Sequence, residues 1–435
     1  MNILIKNAGI IFFEDGVKYK KNGHIGIKDG RIEFVVDSDR YNDDFHADET
    51  INCKNRLVLP GLVNTHTHCA MTILRNFAND LPLHEWLFNR VFPAEAKLTE
   101  EDVYWGTLLG ITEMIKSGTT CFADMYKFMD NAAQAVVESG IRANLSISPL
   151  KFNVGEKSET VNERMKCYKF HRDWNGKADG RIQVSIEVHS AYLFSESELT
   201  DASMLAKDLK TGIQIHLLET LRERKEVFEK YGMNSAQLCE KTGIFDVPVL
   251  AAHCVHLDEN DIDILKHHSV NVSHNITSNL KLGSGIAPVP GMLEKGLNVS
   301  LGTDGAASNN NLNMFEEMHL TSLVHKGVNT NPLLINAGQT IKMATENGAK
   351  ALGFNDTGNI KQGMKADLII LDTDKPHFSP VNDPVAAAVY TAQGSDVDTV
   401  IINGRIVMEG RKLKTIDEEK VMRKVREISD RILRG

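Results

Sequence analysis

Eight short runs rich in valine, isoleucine and leucine recur between residues 57 and 304, most of them separated by a helical stretch. They cover 57–66, 119–125, 142–148, 182–189, 213–218, 248–253, 269–275 and 298–304. Apolar runs of this length suit parallel strands covered on both faces. Stretches such as 101–117 and 129–139 supply connecting helices. Eight strand–helix units predict an α/β fold, a (β/α)8 barrel of the TIM type, rather than an open doubly wound sheet. No glycine-rich dinucleotide fingerprint follows the first strand, and Gly283-Ser284-Gly285 lacks a strand-to-helix context.

The chain ends have a different grammar. Ile3-Leu4-Ile5, Ile10-Ile11-Phe12, His24–Ile27 and Arg31–Val36 read as strands, with a turn at Lys28-Asp29-Gly30. Near the other end, 366–372 reads as a strand, and 397–402 and 405–408 form a hairpin around Asn403-Gly404. The expected organisation is a small β-sandwich built from both termini (1–56 and 361–435) around a barrel at 57–360. The closing segment 417–433 carries Val421, Val425, Ile428 and Ile432 near helical spacing, which predicts a surface helix packed on that β domain.

A chain of 435 residues has ample length to bury a core without disulfide staples. Its net charge of −9 and lack of a basic run argue against nucleic-acid binding. The six cysteines show no Cys-x-x-Cys pairing and read as reduced thiols of a cytoplasmic protein. No leader-like amino terminus and no apolar run of membrane-spanning length are present, so no membrane role is expected.

In barrels of this kind the active site lies at the carboxyl ends of the strands. The first strand ends in His66-Thr67-His68. Residues two apart on a strand face the same way, so both imidazoles can address one point from about 7 Å of backbone. Strand four ends in His189, strand five in His216-Leu217-Leu218-Glu219, strand six in His253 and strand eight in Asp304. Five of the eight rim positions thus carry metal-competent or acid–base groups. The simplest site places His66, His68, His216 and Asp304 on one divalent ion; this donor set suits zinc, and also iron or manganese. Strand four ends without a lysine that could bridge a second ion, which favours one metal. A divalent ion with an open position lowers the pKa of a bound water to roughly 7. His253 could orient that water and Asp304 take its proton. Glu219 is placed to give a proton to the substrate. Such a set hydrolyses a polarised C–N or C–X bond next to a ring nitrogen. His256 and His274 read as structural.

Pro60-Gly-Leu-Val-Asn-Thr-His-Thr-His68, His216-Leu-Leu-Glu-Thr220, Ala252-His-Cys-Val-His256, Ser273-His-Asn275 and Leu301-Gly-Thr-Asp-Gly-Ala-Ala-Ser-Asn-Asn310 resemble the amidohydrolase superfamily. More narrowly they resemble its 5-methylthioadenosine/S-adenosylhomocysteine deaminases, over nearly the whole chain. The resemblance implies metal binding by His66, His68, His216 and Asp304. It also implies proton shuttling by Glu219 and water orientation by His253. It assigns ribose binding to Glu95, which follows Leu81-Pro-Leu-His-Glu-Trp-Leu87 and Pro93, and a substrate contact to His189. A carboxylate suits vicinal hydroxyls because it can accept from both.

Two departures concern the substrate end. Val188 and Ala191 stand where the family often has proline, and the family's arginines after strand three are matched only by Arg142, with Arg164 or Lys157 as substitutes. The implied reaction is hydrolytic deamination of 5-methylthioadenosine, S-adenosylhomocysteine or adenosine, with release of ammonia. The rival enzyme reading is a hydrolase of another amino- or chloro-heterocycle, such as guanine or a triazine. A non-enzymatic scaffold on a dead barrel is opposed by the intact ligand set. A homo-oligomer is compatible with the sequence, which does not fix its order.

Overall fold

A computed structural model describes residues 1–150 and 160–434. Eight parallel strands follow one another in chain order around a barrel: Leu62–Thr67, Thr119–Met125, Arg142–Ile147, Ile182–Ser190, Ile213–Leu217, Val249–His253, Asn271–His274 and Asn298–Leu301. Every neighbouring pair in this order is parallel. The eighth strand meets the first through Asn64, Thr65 and His66. Thr65 Oγ1 donates to the Leu301 carbonyl at 2.9 Å, and Thr303 N–H donates to Asn64 Oδ1 at 2.9 Å. Asp304 N–H donates to the His66 carbonyl at 2.9 Å. The seam is tight enough to demand glycine at 302, where a Cβ would lie 2.5 Å from Ser273 Oγ and 2.8 Å from His66 N.

The expected strand 57–66 is two strands. Arg56–Pro60 belongs to a second sheet, pairing with Ile3–Phe13 on one side and Leu368–Asp372 on the other. Only Leu62–Thr67 enters the barrel. Gly61 makes the transition in a place without room for a side chain: a Cβ there would stand 2.1 Å from Thr120 Oγ1. The second sheet has nine strands, drawn from both chain ends as expected, and is continuous through this junction. Strand alternation divides its side chains. Val58, Leu368 and Ile370 join Ile3, Ile5, Ile25 and Ile27 in the sheet's own core. Leu57, Leu59, Ile369 and Leu371 join the core that continues into the barrel. The hairpin at Asn403-Gly404 has positive φ at both central residues, as a type I′ turn requires.

The carboxyl-terminal helix, Glu418–Arg434, buries Val421, Val425, Ile428 and Ile432 as its periodicity predicts, but mainly against the barrel rather than the β domain. It lies on the barrel wall, against the helix Glu100–Lys116 and the turn Cys69–Leu74. Val425, Ile428 and Ile432 share a cluster with Met71, Ile73, Leu74 and Trp86. Full burial of each such side chain contributes about 1.5–3 kcal/mol. Lys116 pairs with Glu418, Arg431 with Asp102, and Lys97 Nζ donates to the Ile432 carbonyl. An amphipathic stripe dictates that one face is covered, not by what. Among the described residues no helix is long and apolar enough to cross a membrane, and the six cysteines are buried and free.

Arg142, matched to a substrate contact, stands at the opposite end of the barrel. It opens the third strand rather than following it, and its side chain is fully buried. The guanidinium forms a two-pronged pair with Asp367, Nε to Oδ2 at 2.8 Å and Nη2 to Oδ1 at 3.0 Å. Asp367 also accepts from Asn403 N–H at 2.7 Å. Arg142 therefore joins the barrel floor to the terminal sheet. Arg142→Ala leaves a buried carboxylate without its cation, which costs about 3–5 kcal/mol. Urea unfolding should show a loss of that size, with the metal content of the folded fraction unchanged.

Candidate active site

The histidines of the first strand converge as their spacing requires. His66 Nε2 lies 3.5 Å and His68 Nε2 3.4 Å from Asp304 Oδ1. His216 Nε2 lies 3.3 Å from His68 Nε2. The donor atoms of His66, His68 and His216 fall within 4.8 Å of one another, as do those of His66, His253 and Asp304. Backbone carbonyls fix the rings from behind: His68 Nδ1 bonds the Met125 carbonyl at 2.5 Å and His216 Nδ1 the His189 carbonyl at 2.8 Å. With Nδ1–H donating outward, each Nε2 lone pair faces the centre. His66 Nε2 is buried with no hydrogen-bond partner. Burial pushes the His66 imidazole down to about 4, and burial with the neighbouring His189 holds His216 well below its ordinary range. These rings are therefore neutral at neutral pH, the form that binds metal. Three imidazoles and a carboxylate aimed at one point fit a divalent cation.

Asp304 is held on every side. Its Oδ2 accepts from Ser278 Oγ at 2.6 Å and Ser308 Oγ at 2.8 Å, and its Oδ1 from Gly305 N–H at 2.7 Å. Its backbone is left-handed (φ 64), as are those of His253 (φ 72) and Leu218 (φ 47). Such conformations cost of order 1–3 kcal/mol each in a non-glycine residue. They occur where the strands end and the chain must turn while its functional side chains stay in the mouth.

Glu219 and His253 stand beside the donor set. Glu219 Oε2 is 3.9 Å from His253 Nε2, and Glu219 Oε1 accepts from Ser284 Oγ at 3.4 Å. Burial raises the Glu219 acid above its ordinary range against the opposing pull of His253, which favours a group that carries and passes on a proton. His253 is oriented by Asn279, whose Oδ1 lies 2.8 Å from Nδ1. The backbone behind Glu219 is pinned by Glu223, whose carboxylate accepts from Leu218 N–H at 2.9 Å and Glu219 N–H at 3.1 Å.

Glu95 closes the short helix Phe92–Glu95 and approaches from the loop after the first strand. Its Oε1 accepts from Tyr126 OH at 2.5 Å, and its own carbonyl accepts from Lys127 Nζ. The Tyr126 ring in turn lies 6.5 Å from that of His68. The His189 ring is 4.6 Å from that of His216. Thus His66, His68, His216, Asp304, Glu219, His253, Glu95 and His189 share one rim, and Arg142 does not. Arg164 pairs with Asp208 on a neighbouring helix, while Lys157 lies outside the described residues. His256 bonds the Ser284 carbonyl at 2.8 Å, and His274 faces His325 at 3.2 Å, away from the donor set.

Residues 57–407 match the model of the amidohydrolase family. The chain belongs to the amidohydrolase family. This amidohydrolase is 60% identical over 435 residues, the whole of both chains, to a 5-methylthioadenosine/S-adenosylhomocysteine deaminase of Acetivibrio thermocellus. It is 47% identical to a 5′-deoxyadenosine deaminase of Methanosarcina acetivorans, over 99% of this chain and 98% of that one. Among solved structures, it superposes with a TM-score of 0.95 on a zinc-bound adenosine deaminase from Xanthomonas campestris, at 30% identity over 100% of this chain and 99% of the other.

Several residues that build the amidohydrolase site escaped the sequence reading. Tyr126 and Lys127 follow the second strand directly, so the strand-end rule would have found them. Ser278, Ser308, Asn279 and Glu223 act on other site residues and carry no motif of their own. Because Ser278 and Ser308 both hold Asp304 Oδ2, replacing both by alanine should weaken metal retention about 10–100-fold. Competition with a chelator measures this, and retention equal to wild type would show that the serines do not orient the ligand.

Proposed function

We propose that this amidohydrolase is a zinc-dependent deaminase of adenosine and its 5′-modified derivatives, among them 5-methylthioadenosine and S-adenosylhomocysteine. The observation that carries the reading is the placement of two carboxylates across the donor set. Glu219 follows the fifth strand and Glu95 follows the first, and these strands stand opposite each other in an eight-stranded barrel. A ligand spanning the mouth meets a proton donor at one end and a diol acceptor at the other. The relatives named above, deaminases of 5′-modified adenosines, support the same choice.

Zinc held by His66, His68, His216 and Asp304 would supply a Lewis acid that brings the pKa of water toward roughly 7. His253, fixed by Asn279, orients the attacking water toward C6 of the adenine ring. Asp304 accepts a proton from that water as the C–O bond forms, and Glu219 protonates N1. As the tetrahedral centre collapses, Asp304 passes its proton to the amino group, the C6–N bond breaks and ammonia leaves, the proton of the C6 hydroxyl returns to Glu219, and the ring becomes hypoxanthine; one water is consumed for each ammonia released. Glu95 accepts hydrogen bonds from the vicinal ribose hydroxyls, and His189 contacts the substrate from the fourth strand. The buried free cysteines suit the cytoplasm, where we place the enzyme.

Ammonia release from 5-methylthioadenosine, S-adenosylhomocysteine, adenosine and guanine, assayed side by side, tests the reading. Turnover of the nucleosides and not of guanine is expected, and a preference for guanine would overturn it. Glu219→Gln should retain its metal and lose about 10²–10⁴-fold in kcat; wild-type turnover would remove the proton-shuttle role. Glu95→Ala should lower kcat/KM for nucleosides roughly 10–100-fold, the worth of a charge-assisted hydrogen bond. An equal loss on free adenine would take Glu95 away from the ribose.

A further inference from the structure

The two serines that hold Asp304 do not lie on barrel strands. Ser278 belongs to the short helix Ile276–Lys281 after the seventh strand, and Ser308 to the turn after the eighth. These segments need a fixed distance from each other and from Asp304 if the carboxylate is to stay aimed at the ion. The chain neighbours of all three residues lead to one side chain, Glu317.

Glu317 lies in the first turn of the helix Met314–Val328 and is fully buried. Its Oε2 accepts from the backbone N–H of Thr277, next to Ser278, at 3.3 Å. Its Oε1 accepts from Asn309 Nδ2, next to Ser308, at 2.8 Å. The same Asn309 nitrogen donates to the carbonyl of Thr303, next to Asp304, at 2.8 Å. Thr277 stands in a first helical turn, where backbone N–H groups have no acceptor within the helix. The cap residue Asn275 supplies none from its side chain. Both oxygens of Glu317 thus face N–H donors. A carboxyl group can accept at both oxygens, whereas an amide accepts at only one.

Among the described residues the converging donor atoms come from His66, His68, His216, His253 and Asp304, so Glu317 acts on the ion only through Asp304. That ligand needs bracing. Its left-handed backbone (φ 64) is a conformation that persists only where the surroundings over-determine it. Within the reading of Asp304 as a metal ligand, on which this inference rests, we propose that Glu317 is its positioning residue. Glu317 locks the two serine-bearing segments and the end of the eighth strand into one unit, and so fixes the carboxylate toward the ion.

Full-length protein loaded with zinc alone serves for the test. Zinc retention is read by competition with a chelator, with urea unfolding run in parallel. Glu317→Gln keeps the volume but sets an amide NH2 against one of the two N–H donors. It should weaken zinc retention about 10–100-fold in protein that remains folded, the range for groups that orient a metal ligand. Combined with Ser278→Ala and Ser308→Ala, the loss should fall well short of the product of the separate losses, because groups acting through one network are not additive. Asn309→Ala cuts the tie to Thr303 and leaves the Thr277 contact in place. It replaces Glu317→Gln should that variant fold poorly, and should show the same non-additivity. Wild-type zinc retention in a folded but less stable variant would make Glu317 a helix cap alone and overturn the proposal. Losses that multiply in full with those of the serine variants would overturn it too, since Glu317 would then act by a separate route. A wild type that yields zinc as readily as Asp304→Ala would defeat the donor set itself, a result seen before any change at Glu317.

Discussion

The structure depends on the seam between the eighth and first barrel strands. The bond from Asp304 N–H to the His66 carbonyl joins segments far apart in the chain and brings the carboxylate beside both first-strand imidazoles. A donor set of this kind gains from being rigid before the ion arrives, because neutral imidazoles and a carboxylate would otherwise spread into solvent. The carbonyls of Met125 and His189 turn the rings, two serines and a backbone amide hold the carboxylate, and Gly302 lets the seam close to backbone contact. The left-handed residues at three strand ends are tolerated because the surrounding bonds over-determine them.

Behind the site the protein is supported from its opposite end. Arg56–Pro60 and Leu368–Asp372 carry one face into the terminal sheet's core and the other toward the barrel, so the two bodies share strands rather than merely touch. The buried Arg142–Asp367 pair lies in that joint. A charge placed there is costly to bury, but its two-pronged geometry and the extra bond from Asn403 leave Asp367 well partnered.

Much of this was legible from side-chain parity alone. His66 and His68 had to face together, and groups at strand ends had to share a rim, so the convergence of His66, His68, His216, Asp304 and Glu219 followed from a period of two plus a closed barrel. Legibility failed where direction or partner mattered. Position 142 matched a family feature by its place near strand three, but a residue that opens a strand lies at the wrong end of it. The stripe of Val421, Val425, Ile428 and Ile432 specified a covered face and was silent about the cover. Glu223 works through two backbone amides, and no spacing announces that. The run 57–66 looked unbroken because the glycine between its two strands is needed for closeness, not for a turn.

The helix Glu418–Arg434 also reaches the segment that carries Glu95. Glu95 lies on a segment packed beside Val425, Ile428 and Ile432, and Lys97, just beyond it, bonds the carbonyl of Ile432. The helix Glu418–Arg434 therefore braces the segment that carries Glu95. A cavity opened in the face of Val425, Ile428 and Ile432 would therefore loosen Glu95 while leaving Asp304, held by Ser278, Ser308 and Gly305, in place.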